Sequence, residues 1–309
     1  MSEEIKKVII IGSGPAGLTA AIYAARADLK PVVIAGLTFG GQLMLTTEVE
    51  NFPGFREGIM GPDLMNNMVA QAERFGAEII YEDATAVDFS KKPFKVQVGE
   101  KQYLSESIII ATGASSLWLG LPSEEKFRGK GVSSCATCDG FFFRDKEIIV
   151  VGGGDAAMEE ALYLTKFVKK VTLLNRSEKL RASKIMADRA LANPKITILY
   201  NTEVDEFLGT DHLTGAKLKN NVTGEISELA VEGAFIAIGH KPNTEIFHGK
   251  IDLDAKGYIV PTDGTKTNVN GVFVAGDVRD FRYRQAVTAA GMGCMASLDA
   301  EKYLHMDQG

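Results

Sequence analysis

The stretch Val8-Ile9-Ile10-Ile11-Gly12-Ser13-Gly14-Pro15-Ala16-Gly17 joins a short apolar run to a glycine-rich turn. The glycines at 12, 14 and 17 fit the pattern G-x-G-x-x-G. In a strand–turn–helix setting such glycines allow a tight turn and close backbone approach, and the helix start offers unpaired N–H groups to a pyrophosphate. A helical pattern follows through Arg26, and residues 31–35 (Pro-Val-Val-Ile-Ala) read as the next strand, so the chain opens as a βαβ unit. One match of this kind is a weak signal. The same grammar returns far along the chain, however. Ile148 to Val151 leads into Gly152-Gly153-Gly154-Asp155-Ala156-Ala157, a helical pattern runs through Lys169, and Val171 to Leu174 reads as the following strand. The two turns lie too far apart for a stacked repeat, and two separate nucleotide-binding domains account for them better.

Three further strand endings organise the rest. Ile108 to Ile110 runs into Ala111-Thr112-Gly113, residues 234–237 run into Ile238-Gly239, and residues 271–275 run into Gly276-Asp277. A long helical pattern then extends from about Ala286 to Leu304. The predicted fold is α/β, with two Rossmann-like domains of three layers each. A first domain comprises residues 1–115 and 246–309, and a second, residues 117–243, is inserted into it.

Composition narrows the function classes. The 309 residues suit two compact domains, at about 100–200 residues per domain. Hydrophobic residues make up 45% and charged residues 24%, a globular balance. A net charge of −6 argues against nucleic acid or an anionic membrane as the main partner. No apolar run approaches the roughly 18 residues of a membrane span. The start, Met1 to Lys7, has no apolar segment after a basic one, so no signal peptide is read and the cytoplasm is the expected compartment.

Three cysteines do not make a secreted disulfide framework. Cys135 and Cys138 have C-x-x-C spacing. No second such pair exists, and the histidines (His212, His240, His248, His305) are scattered, so no metal site is expected. A staple closing so short a loop removes little chain entropy, less than the roughly 3 kcal/mol of a 15-residue loop. A redox-active pair remains, with Asp139 beside it as a source or acceptor of a proton during thiol–disulfide exchange. Cys294, among small and apolar residues of the last helical pattern, reads as packed.

The acidic residue expected about 20 residues after a dinucleotide loop, at the end of the second strand, is missing in both copies. Ala35-Gly36 stands there in the first, where backbone around Gly40, Gly41 and Gln42 is the expected substitute. Asn175 stands there in the second, with Arg176 and Arg181 nearby, a combination that favours a 2′-phosphate and hence NADPH over NADH.

These motifs, with residues 40–43 (Gly-Gly-Gln-Leu), 50–54 (Glu-Asn-Phe-Pro-Gly), 135–139 (Cys-Ala-Thr-Cys-Asp), 237–243 (Ala-Ile-Gly-His-Lys-Pro-Asn) and 283–286 (Tyr-Arg-Gln-Ala), resemble the low-molecular-weight thioredoxin reductases, in order and over nearly the whole chain. The resemblance implies a homodimeric flavoprotein in which NADPH reduces FAD, FAD reduces a Cys135–Cys138 disulfide, and the dithiol reduces a thioredoxin. It implies FAD contacts from Gly12, Ser13, Gly14, Pro15, Ala16, Gly17, Gly40, Gly41, Gln42, Leu43, Asn51, Ala84, Ala111, Thr112, Gly113, Asp277, Arg284, Gln285 and Ala286. Gly152, Gly153, Gly154, Asp155, Ala156, Arg176, Arg181, Ile238 and Gly239 would hold NADPH. Cys138 would lie nearer the flavin, Cys135 would attack the partner disulfide, and Asp139 would be the acid–base.

One departure stands out. Where the family usually has His-Arg-Arg, this chain has Asn175-Arg176-Ser177, so one expected cationic contact is absent and some NADH use is expected. The cysteine pair and the second glycine loop share the inserted domain; if both use one face of the flavin they must take turns, and rotation about residues 112–114 and 240–243 is the expected means. The alternatives are an NAD(P)H-dependent reductase of ferredoxin, flavodoxin or a glutaredoxin-like partner, which needs no cysteine pair in the first two cases, and a non-enzymatic redox-sensing nucleotide-binding protein.

Overall fold

The structure, a computed structural model, describes residues 4–46 and 48–306. The reading made on the first three residues lies outside that range. Two compact units are formed, one by Met1–Ser115 with Lys241–Gly309 and the other by Ser116–His240. The return comes before residue 246 because Asn243 is fastened to the first unit. Its backbone N–H donates to the Gly113 carbonyl (3.0 Å), its side-chain amide donates to the Thr112 carbonyl (2.9 Å), and its own carbonyl accepts from Thr112 Oγ1 (2.7 Å).

In the first unit the strand Ile5–Ile11 is central. It pairs in parallel with Val32–Ile34 on one side and Lys101–Ile110 on the other. Glu78–Ile80 extends the sheet beyond Val32–Ile34. The long strand changes partner along its length: residues 101–105 pair antiparallel with Phe94–Val98, and residues 108–110 pair in parallel with Val272–Val274. Ala84–Asp88 completes the antiparallel part.

Strand residues alternate between faces. Val8 and Ile10 join Ala16, Ala20, Ala24 and Ile109 under the helices. Ile9 and Ile11 join Val87, Phe94, Val96 and Ile110 under the antiparallel strands. Both faces are covered, which is why the run is apolar without alternation. The helix Pro15–Arg26 follows the first glycine turn, and the helix Ala286–Met306 packs on it. Alanines at 289, 296 and 300 keep that approach close, and a Cβ at Gly293 would run into the Ala16 carbonyl.

The second unit repeats the plan. Glu147–Val151 lies between Lys170–Asn175 and Gly233–Ile236, all parallel, with Ile196–Tyr200 and Val132–Ser133 outside them. A separate antiparallel sheet of Thr202–Gly209, Leu213–Asn220 and Ile226–Ala230 forms the third layer. Ile148 and Val150 face the helix Asp155–Leu164, whereas Ile149 and Val151 face Val204 and Phe207. That helix stops short of the pattern read through Lys169. The Lys166 and Phe167 N–H groups bond three residues back, to Tyr163 and Leu164, and this tighter turn ends the α-helix. Among the described residues no helix is long and apolar enough to cross a membrane, and no acidic, histidine or cysteine group could hold a metal.

Candidate active site

The two glycine turns have the same construction. Gly12 has φ +111°, and a Cβ there would enter the Ala111 carbonyl; a Cβ at Gly17 would enter the Gly12 carbonyl. Both glycines are therefore required by backbone packing. Gly14 differs, because a Cβ there would meet nothing within 4 Å among the described residues. In the second turn, Gly152 at φ +150° lies against the Ala237 carbonyl, with Ala157 in the place of the third glycine, and Gly154 is again open. Gly14 and Gly154 cap the two following helices without any side-chain hydrogen bond to the first turn. An open glycine at the start of a helix is the arrangement a pyrophosphate fits.

Around the first turn, Ser13 replaces the missing acid as an organiser. It is buried, donates to the Ala35 carbonyl (2.7 Å) and accepts from the Gly40 N–H (3.0 Å). The turn at Gly40 and Gly41, with φ of +79° and +66°, is thereby brought to the glycine loop, 3.6 Å from Gly14 Cα measured from a Cβ built at Gly41. Gln42 and Leu43 follow in the 3-10 helix Gly41–Leu45. At the position of the expected acid, Gly36 and Leu37 turn instead toward Asp83, which accepts the Leu37 N–H (3.1 Å). Ala84 follows Asp83 at the start of its strand.

The end of the strand Val272–Val274 delivers Gly276 next to Ala16, where a Cβ would come 2.9 Å from the Ala16 Cβ. Asp277 therefore sits near the start of the first helix. Its Oδ1 is buried and has no hydrogen-bond partner among the described residues. Burial first, then the charge of Asp280, push its carboxyl up to about 7, against the opposing pull of Arg284. An orphaned buried oxygen of this kind fits a ligand hydroxyl, as the ribityl chain of a flavin would supply. Arg284, held at φ +48°, also bonds Tyr258, whose hydroxyl is pushed up mainly by burial. Asp280 fixes this loop by accepting the N–H groups of Arg282 (2.9 Å) and Tyr283 (3.0 Å). Gln285 accepts from the Asn51 side-chain amide (3.3 Å), and its carbonyl accepts the Ala289 N–H (2.9 Å), so the last helix begins at Ala286. The structure thus joins Asn51 to Gln285 ahead of Ala286 and sets Asp277 near Arg284, next to Gly276, which meets Ala16 of the first glycine loop. Sequence reasoning missed Tyr258 and Asp280; no motif marks either.

In the second unit Asp155 directs its carboxylate to the N–H (2.7 Å) and hydroxyl (2.8 Å) of Ser183, and so fixes the start of the helix Lys184–Leu191. Ala156 lies one residue on in the first turn. Arg176 and Arg181 are both exposed on the segment after the strand Lys170–Asn175. Ile238 packs into the core beside Gly239, which has φ +121° and accepts the Leu117 N–H (2.9 Å).

Cys135 and Cys138 form a disulfide, with Cα atoms 5.3 Å apart. The helical turn Ala136–Asp139 sets this spacing: the Cys138 and Asp139 N–H groups both bond the Cys135 carbonyl, at 3.2 and 3.1 Å. Cys135 is half-buried and Cys138 exposed. Ser133, buried behind the turn, donates to Asp139 Oδ2 (2.5 Å) and accepts the Cys135 N–H (3.1 Å). Burial pushes the Asp139 carboxyl up, and the Ser133 hydroxyl pulls it back. Asp139 therefore holds its proton to higher pH than an ordinary carboxyl, as suits an acid–base beside a thiol. Ser133 was not visible in the sequence as a site residue. Cys294 is a free, half-buried thiol.

Comparison with known proteins agrees with this arrangement. Residues 6–293 match the family described as pyridine nucleotide-disulphide oxidoreductase. A thioredoxin reductase of Streptomyces clavuligerus is 57% identical over 305 residues, 97% of this chain and 94% of that protein. The solved thioredoxin reductase of Giardia duodenalis is 44% identical and superimposes with a TM-score of 0.94 over 97% of this chain and 99% of its own. That of Streptococcus pyogenes is 41% identical with a TM-score of 0.94, covering 99% and 100%. The family implies flavin and nicotinamide cofactors, and the open glycines and the orphaned Asp277 oxygen fit them. With two glycine turns of one construction and a disulfide backed by a half-buried carboxyl, the chain belongs to the pyridine nucleotide-disulphide oxidoreductases, among the thioredoxin reductases.

Proposed function

We propose that this chain is an NADPH-dependent thioredoxin reductase that works as a homodimer, with FAD in the unit of Met1–Ser115 and Lys241–Gly309 and NADPH in the unit Ser116–His240. The observation that carries the reading is the Cys135–Cys138 disulfide, seated on a helical turn with Asp139 and Ser133 at its back, in the same unit as the second glycine loop. A bound flavin supplies two-electron transfer between a nicotinamide and a disulfide.

The chain's own residues do the rest. The Gly12–Gly17 and Gly152–Ala157 turns orient the two dinucleotides through open glycines and helix-start N–H groups. Asp277 and Arg284 position the polar chain of the first. Arg176 and Arg181 give the second its preference for a 2′-phosphate. In the reduced pair, the Cys135 thiolate attacks one sulfur of the thioredoxin disulfide and the other sulfur leaves as a thiolate. Cys138 then displaces the mixed disulfide, so that two thiols here are oxidised and two on thioredoxin are formed. Asp139 holds the proton exchanged with the cysteines. Exposed Cys138, next to Asp139, faces the flavin in one arrangement and Cys135 faces thioredoxin in another, and rotation about residues 112–114 and 240–243 interconverts them.

Steady-state reduction of thioredoxin with NADPH and NADH side by side tests this. Turnover with NADPH preferred is expected; reduction of ferredoxin or flavodoxin but not thioredoxin would overturn it. A crosslink between the units should stop multiple turnover, and full turnover in the locked enzyme would remove the rotation from the account.

A further inference from the structure

The segment 176–183 carries Arg176, Lys179 and Arg181, all exposed, yet its backbone is tied down along most of its length. Asn175 is the centre of that clamp. It ends the strand Lys170–Asn175 and is 3% exposed. Its side-chain amide donates to two carbonyls, those of Ser177 (2.7 Å) and Lys179 (3.1 Å). Its Oδ1 fills the space beneath Gly153, where a Cβ would collide with it. Gly153 in turn accepts the N–H groups of Arg181 (2.7 Å) and Ala182 (3.0 Å) through its carbonyl. At the other end, the Arg176 carbonyl accepts from the Asn221 side-chain amide (3.1 Å), and that of Ser177 also accepts the Asn201 N–H (3.2 Å). One buried amide therefore joins the cationic segment to the glycine loop.

We propose that Asn175 is a positioning residue that sets discrimination between NADPH and NADH by holding the 176–182 segment on the glycine loop, without itself touching the 2′-phosphate. The proposal rests on the reading of this unit as the nicotinamide site. A phosphate recognised by long cationic side chains on a loose loop is bound at the cost of ordering that loop. A loop fixed beforehand avoids the cost, and so offsets the cation missing at Ser177. The pyrophosphate is held by the glycine loop in either dinucleotide, whereas only the 2′-phosphate needs the cationic segment, so loosening the segment weakens NADPH selectively.

The test is calorimetric binding of adenosine 2′,5′-bisphosphate and of AMP to the flavin-loaded enzyme, with kinetics alongside. The wild type should prefer the bisphosphate. Asn175→Ala should lose about tenfold of bisphosphate affinity and less than about twofold of AMP affinity, the scale of one lost charge-assisted contact. KM for NADPH should rise by a similar factor with kcat unchanged. If Asn175→Ala does not fold, Asn221→Ala, which frees only the Arg176 carbonyl at the surface, should move the same ratio the same way by a smaller factor. A folded Asn175→Ala that keeps the wild-type ratio, or loses both ligands equally, overturns the role of Asn175 alone. Absence of any bisphosphate preference in the wild type overturns the NADPH reading and the proposal with it.

Discussion

Replacing Gly12 and Gly14 by alanine separates glycines that the fold needs from those that a ligand needs. At Gly12 an alanine would sit at φ +111° with its Cβ in the Ala111 carbonyl. Backbone strain of about 1–3 kcal/mol adds to an overpacking cost of about 1–3 kcal/mol, so Gly12→Ala should destabilise the protein by about 2–6 kcal/mol. Gly14 has φ −69° and ψ −176°, an extended conformation open to any residue, and an added Cβ meets nothing within 4 Å among the described residues. Gly14→Ala should change the stability of the flavin-free protein by less than about 1 kcal/mol, in the stabilising direction, through the unfolded chain. Its methyl would stand where the pyrophosphate approaches the helix start, and an overpacking cost of about 1–3 kcal/mol there weakens FAD binding by about 5- to 150-fold. Thermal melting of the flavin-free proteins and fluorimetric titration with FAD read the two effects separately. Wild-type FAD affinity in Gly14→Ala, or an unchanged melt in Gly12→Ala, would refute the reasoning.

Two further outcomes follow from charge and hydrogen bonding. Asp277 has its carboxyl raised from 3.8 to about 7. The folded state therefore binds the proton more tightly, and stability fully present below the unfolded value is lost as pH rises through about 7. At about 1.4 kcal/mol per unit this is about 4 kcal/mol in the flavin-free protein. Urea unfolding at pH 4 and pH 8 should show that difference in the wild type and much less of it in Asp277→Asn. Ser133→Ala removes the hydroxyl that pulls the Asp139 carboxyl down and leaves burial to act alone. Asp139 then keeps its proton to higher pH, and the alkaline limb of thioredoxin reduction should move further alkaline, with Ser133→Thr restoring it; an unmoved limb would mean that the hydroxyl does not act on Asp139.

What the sequence made legible was the part written in glycine and in apolar runs. Two turns of the same grammar, each after a run buried on both faces, were enough for two α/β units, because Val8 to Ile11 and Ile148 to Val151 can only be covered on both sides. The cysteine pair was legible because its spacing is local: one helical turn fixes it. Residues whose role depends on distant partners were not. Ser13 takes over the organising place of the missing acid only because the chain returns at Gly40. Tyr258 and Asp280 act through Arg284 and the loop before the last helix, a meeting that no local pattern encodes. At Asn175 the sequence registered only an absent acid, whereas folding makes the amide a clamp for the segment that carries Arg176 and Arg181. Asp155, read as a dinucleotide contact, is seen to give its carboxylate to Ser183.

The central claim is that electrons leave through the Cys135–Cys138 pair. It is tested most directly by NADPH-driven reduction of thioredoxin in the wild type and in Cys138→Ser, with ferricyanide as an acceptor that needs only the flavin. The account predicts that the variant loses thioredoxin reduction and keeps ferricyanide reduction. Thioredoxin reduction by Cys138→Ser at the wild-type rate would contradict it.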